Sequence, residues 1–88
     1  MGQKITIASA GNTLAAALAA LKQLGYSVSQ LPGNPQLFRA ENESFSLLAE
    51  DPLLLLGLAG IARCRGTNWQ PNDSEVAQLL VLTQSHDA

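Results

Sequence analysis

The stretch Asp51–Trp69, DPLLLLGLAGIARCRGTNW, constrains this chain more than any other. It opens on Asp51-Pro52. An aspartate side chain accepts hydrogen bonds from the free N–H groups of a first helical turn, and proline at the first helical position gives up no donor the helix needs. It closes on Arg63, Arg65 and Gly66. These are cations where the helix dipole is negative, followed by the residue that takes positive φ without strain. Between those ends nearly every residue is apolar, which predicts a helix from Pro52 to Arg65 covered on most sides. Leu54, Leu58 and Ile61 share one helical face, which is assigned to the core. Gly57 and Gly60 also share a face, and each costs about 1 kcal/mol relative to alanine inside a helix. Their spacing predicts close approach of another backbone.

With 88 residues the chain makes one small domain, expected over 1–83, with 84–88 as a disordered tail. The charged fraction is only 14%, against about 25% in a typical globular chain. The surface is therefore rich in Ser, Asn, Gln and Ala and weakly protected against self-association. The net charge is −2, with no Lys/Arg cluster of the kind that neutralises phosphates. Nucleic acid and anionic membranes are excluded as expected partners on that ground. The longest apolar run, Leu53–Ala62, is too short to cross a bilayer, and no signal peptide is visible. The single Cys64 forms no internal disulfide, and a packed, reduced thiol fits the cytoplasm.

Lys4–Ala8 alternates, with Ile5 and Ile7 on one side, and reads as a half-buried strand. Ser9-Ala10-Gly11 turns the chain. Asn12 or Thr13 then caps a helix to about Leu24, with Leu14, Ala17, Leu18 and Leu21 as its apolar stripe. Gly25 fits a left-handed stop, with Tyr26 packing back on Leu21 as in a Schellman ending. Tyr26–Leu31, Gln36–Glu41 and Ser44–Ala49 read as three more strands, separated by the turns Pro32–Pro35 and Asn42-Glu43. Beyond the central helix, Asn72 with Glu75 reads as a capping box, opening a last helix to about Leu82 that buries Val76, Leu79 and Leu80.

The predicted fold is α+β: a two-layer sandwich in the order β-α-β-β-β-α-α. It has a four-stranded mixed sheet, strands one and two parallel through a right-handed crossover, and helices on one face. The other sheet face carries Lys4, Thr6, Ser27, Ser29, Arg39, Glu41 and Ser46, polar but hardly charged.

Candidate chemistry is sparse. His86 is the only histidine and lies in the tail, where no fixed partner holds it, so no Ser-His-Asp or Cys-His pair can be built. Glu41, Glu43, Glu50 and Asp51 read as turn and cap residues. No cofactor and no metal are expected. Gly11, Asn12 and Thr13 stand between a predicted strand and a helix, where free N–H groups can receive an anion. The stretch lacks the lysine of a P-loop and has one glycine of the dinucleotide fingerprint. Arg63, Arg65, Asn68 and Trp69 form the other candidate site. Arg and Trp are enriched at interface hot spots, and a short loop between two helices presents them. Trp69 has two readings: a contact residue for a partner, or a lid on the core below Gly66, with Arg65 stacked or hydrogen-bonded to carbonyls.

The combination DPLLLLGL, RGTNW and NDSE resembles a pattern in small, mostly uncharacterised bacterial α+β proteins, over about the C-terminal half of the chain. That resemblance implies a bacterial cytoplasmic origin. Proteins of that size and class include immunity and antitoxin partners. The expected function is thus a non-enzymatic interaction module that meets another protein or its own copy as a homodimer. The alternative is a small-ligand or anion-binding regulatory domain using Gly11–Thr13.

Overall fold

A computed structural model describes residues 3–84. Of the tail expected at 84–88, Gln84 is the last residue of the final helix, and residues 85–88, His86 among them, lie outside the described residues. Six elements follow one another: α1 (Thr13–Gln23), β1 (Ser27–Leu31), β2 (Asn34–Glu41), β3 (Ser46–Ala49), α2 (Pro52–Arg65) and α3 (Asp73–Gln84).

Local chemistry sets most of the boundaries. α1 ends in a Schellman motif: the Gly25 N–H donates to the Lys22 carbonyl and the Tyr26 N–H to the Leu21 carbonyl, each at 3.0 Å. Gly25 takes φ +96°, which a side chain would oppose, and Tyr26 is buried beside Leu21 in the core. The β1–β2 hairpin turns on Pro32-Gly33 alone, with Gly33 at φ +80°, so β2 starts two residues earlier than the alternation predicts. Pro35 is tolerated inside β2 because the register shifts there, from Gln30 opposite Phe38 to Leu31 opposite Asn34. Asn42 makes the next turn: its Oδ1 accepts from the Ser44 N–H at 2.8 Å and the Phe45 N–H at 2.7 Å, so β3 starts at Ser46.

The sheet is three-stranded and antiparallel, in the order β1-β2-β3. One face carries Val28, Ala40 and Leu47 in one cross-strand row and Phe38 with Ala49 in the next. α1 packs over β1, α2 packs over β3 and β2, and the two helices pack on each other. The core is Leu21, Tyr26, Ala40, Leu47, Leu55 and Ala59.

The four-stranded mixed sheet is therefore overturned, although the α+β class stands. Residues 3–10 adopt no regular structure, and Ile5 and Ile7 are 89% and 87% exposed. Alternation states which side chains a strand could bury together. It does not supply the ladder that makes five residues a strand. The parallel crossover falls with it.

The packing of α2 also differs. Asp51 caps it as predicted, its Oδ1 accepting from the Leu54 N–H at 2.8 Å, and Gly66 at φ +64° ends it. The buried face, however, is Leu55, Ala59 and Ala62, while Leu54 and Ile61 are exposed and Leu58 is half-buried. A helix apolar on all sides carries no polar stripe to fix its rotation, so one-sided coverage selects the face. Gly57 and Gly60 are exposed, and a Cβ at either would meet nothing within 4 Å; they mediate no close approach. Cys64 is exposed rather than packed.

Candidate functional site

The segment from Arg65 to Glu75 is the most tightly specified part of the surface. Its centre is the planar guanidinium of Arg65. Nη1 and Nη2 donate to the two oxygens of Glu75, at 2.9 and 2.8 Å, in a bidentate pair. Nε donates to the Trp69 carbonyl at 3.0 Å, and Nη2 also reaches the Gln70 carbonyl at 3.3 Å. One side chain at the end of α2 thus holds the connecting loop and the first turn of α3.

The capping box predicted from Asn72 and Glu75 is present and shares that glutamate. The Asn72 N–H donates to Glu75 Oε1 at 3.0 Å, and the Glu75 N–H donates to Asn72 Oδ1 at 2.8 Å. The Arg65 guanidinium, then the Asn72 N–H, hold the Glu75 carboxyl below the usual carboxylate range, and Glu75 in turn raises Arg65. Both side chains remain more than a third exposed, so water screens the pair. Its role is geometric: it fixes the direction in which α3 leaves the body.

α3 leaves with its apolar residues uncovered. Val76, Leu79, Leu80 and Val81 are all exposed, and no residue of α3 is buried. The core face expected for Val76, Leu79 and Leu80 is therefore corrected. The helix is apolar around most of its girth, and α1 and α2 already cover the inner sheet face that a third helix would need.

Next to this segment, an apolar groove of about 430 Å³ runs along the outer edge of β3. Phe45, Leu47 and Leu48 form its sheet side, Leu58 and Ile61 its helix side, and Trp69 stands at its mouth. Trp69 is 48% exposed, so it is a rim residue rather than a buried lid. No charged side chain lines the groove.

The four residues expected to form one partner surface are divided. Arg65 is consumed by the loop and Glu75, the carbonyl role that accompanied the lid reading. Trp69 faces the groove, and Asn68 is exposed beside it. Arg63 lines a separate small cleft with Tyr26, Asn42 and Phe45. At the alternative anion site, Asn12 makes no capping hydrogen bond. The Thr13 hydroxyl accepts from the Ala10 N–H at 2.7 Å, and Gly11 is exposed. Thr13 Oγ1 is thus already engaged in a local turn. On the outer sheet face, Ser29, Arg39 and Leu48 form one row and Ser27, Glu41 and Ser46 the next. Arg39 is half-buried there, and its Nε lacks a hydrogen-bond partner.

Among the described residues no three His, Cys, Asp or Glu side chains lie together so as to hold a metal ion, and no helix is long and apolar enough to cross a membrane. Comparison of the chain with protein-family models, with curated proteins and with solved structures finds no match.

The exposed face of α3 and the groove at β3 were both missed by sequence reasoning. The available signal was the absence of charge from Val76 to Gln84, unusual for a solvated helix.

Proposed function

We propose that this chain is a non-enzymatic protein-interaction module of the bacterial cytoplasm, and that α3 is its docking element. One observation carries the reading: a helix with Val76, Leu79, Leu80 and Val81 exposed stands off the body, tied at its first turn by the bidentate Arg65–Glu75 pair. A contiguous apolar patch on a monomer marks an interaction site when it is large, and a scattered single leucine does not. Residues on a braced helix also lose little conformational freedom when a partner arrives. Trp69, at the root of the same segment, supplies a large apolar body and one N–H donor.

Site-specific photo-crosslinking in cells tests the reading. A photoreactive residue in place of Leu79 is expected to give a protein adduct, and the same residue in place of the exposed Gln23 is expected to give none. No adduct at Leu79, or equal adducts at both positions, overturns it.

A further inference from the structure

Two features of this molecule are each half of a β-sheet contact. The first is the segment Lys4–Ala8, with the period-two pattern of a strand, both isoleucines in water and no ladder. The second is the free edge of β3, which among the described residues pairs only with β2 and is flanked by the uncharged apolar groove. A strand laid on that edge would direct alternate side chains toward α2, where Leu58, Ile61 and Trp69 wait. In Lys4–Ala8 those alternate side chains are Ile5 and Ile7, with Lys4, Thr6 and Ala8 turned to the polar outer face.

The chain does not make this contact with itself: residues 3–10 carry no ladder. Ala10 is pinned to the start of α1, its N–H on Thr13 Oγ1 and its carbonyl accepting the Thr13 N–H at 3.0 Å. α1 packs over β1, the strand farthest from the free edge of β3. A strand added beyond β3 lies about 14 Å from β1 at ordinary strand spacing. The two residues that lead from Ala10 to Ala8 span at most about 7 Å.

We infer that the edge of β3 receives Lys4–Ala8 of a second copy of this chain, and that the exchange is reciprocal. This rests on the reading of the chain as a protein-contact module and names its partner at a second surface. Edge addition of this kind draws affinity from main-chain hydrogen bonds and register from the pockets for alternate side chains. The surface area agrees with a missing partner. The chain exposes 7039 Å², whereas a compact monomer of 9.3 kDa exposes about 5,000 Å². The excess is shared between the uncovered α3 and the exposed arm, and it leaves room for the roughly 800 Å² per partner that a standard interface covers. The exchange is symmetric: each copy gives one arm and accepts one, which closes a dimer and leaves no free edge at β3.

Sedimentation velocity from micromolar to near-millimolar protein, with the emission of the single Trp69 followed in parallel, tests the inference. The wild-type chain is expected to dimerise, with Trp69 emission moving to the blue as the arm covers it. The arm variant Ile5→Lys/Ile7→Lys, altered only at exposed positions, is expected to raise the dissociation constant at least about tenfold and abolish the shift. A groove variant, Ile61→Lys, is expected to do the same, and Thr67→Arg blocks the groove from an exposed position if Ile61→Lys disturbs folding. Mixed together, the arm and groove variants are expected to associate, since one intact arm then meets one intact groove. A mixture that stays monomeric, or either variant dimerising like wild type, overturns the inference. So does a wild-type chain that is monomeric throughout, and that result leaves the α3 reading to be decided by the Leu79 adduct.

Discussion

Leu55 and Leu54 are adjacent in sequence, chemically identical and about 100° apart around α2, one buried and the other exposed, which makes them the sharpest probe of how this helix is seated. Leu55 is fully buried against Leu21, Ala40 and Ala59, whereas Leu54 is 52% exposed. Leu55→Ala removes three buried carbon centres. At about 0.8 kcal/mol per buried methylene, the transfer part alone is roughly 2.4 kcal/mol. A residual cavity adds to this, since the surrounding side chains relax only in part, giving an expected loss of about 3–4 kcal/mol. Leu54→Ala forfeits only part of the transfer part and leaves no cavity, so its expected loss is below about 1 kcal/mol. A domain of this length is worth only about 4–13 kcal/mol in all, so the first change consumes a large share of it. Urea unfolding at a concentration where the chain is monomeric reads both, with the slope unchanged if only stability has moved. Equal losses for the two variants, or a loss below about 1 kcal/mol for Leu55→Ala, would refute the seating of α2 described above.

Two further outcomes follow from the same geometry. Arg65→Lys keeps the charge but loses the planar fork that grips Glu75 and two carbonyls at once, so amide exchange in the first turn of α3 is expected to quicken while the core stays protected. Acid does the same to the wild-type chain: the folded Glu75 carboxyl lies below its ordinary value, so its contribution is complete above about 4.3 and is lost as the pH falls through the lower folded value. Unchanged exchange in α3 under both treatments would show that Arg65 does not brace it. Gly57→Ala and Gly60→Ala, with open space at each Cβ, are each expected to raise stability by about 0.5–1 kcal/mol in urea unfolding, and a loss at either would reveal a neighbour the fold does not show.

The legible parts of this chain are those decided within a few residues. Asp51 before Pro52, Gly25 before Tyr26, and Asn72 three residues before Glu75 each specify a hydrogen bond to a nearby backbone group, and each forms. The parts that were not legible depend on what lies across from a residue. The alternation of Lys4–Ala8 is real, but its partner edge is not written beside it. In α2 and α3 the apolar residues surround the axis, so periodicity gives a helix without its rotation, and the wrong faces were assigned in both. Cys64 followed α2 in that error. At the candidate site, Arg65 meets Trp69 through the Trp69 carbonyl, one of the two contacts open to it in the sequence. Arg63 lies in a separate cleft, since residues two apart on a helix face different directions.

α3 stands uncovered by its own body, and its role as a docking element is proposed on that ground. The double variant Leu79→Gln/Leu80→Lys tests it by urea unfolding of the monomeric chain. Both side chains are in water, so the account predicts a stability within about 0.5 kcal/mol of wild type. A loss of about 3 kcal/mol or more would mean that these leucines are packed against this chain's own core, and would contradict it.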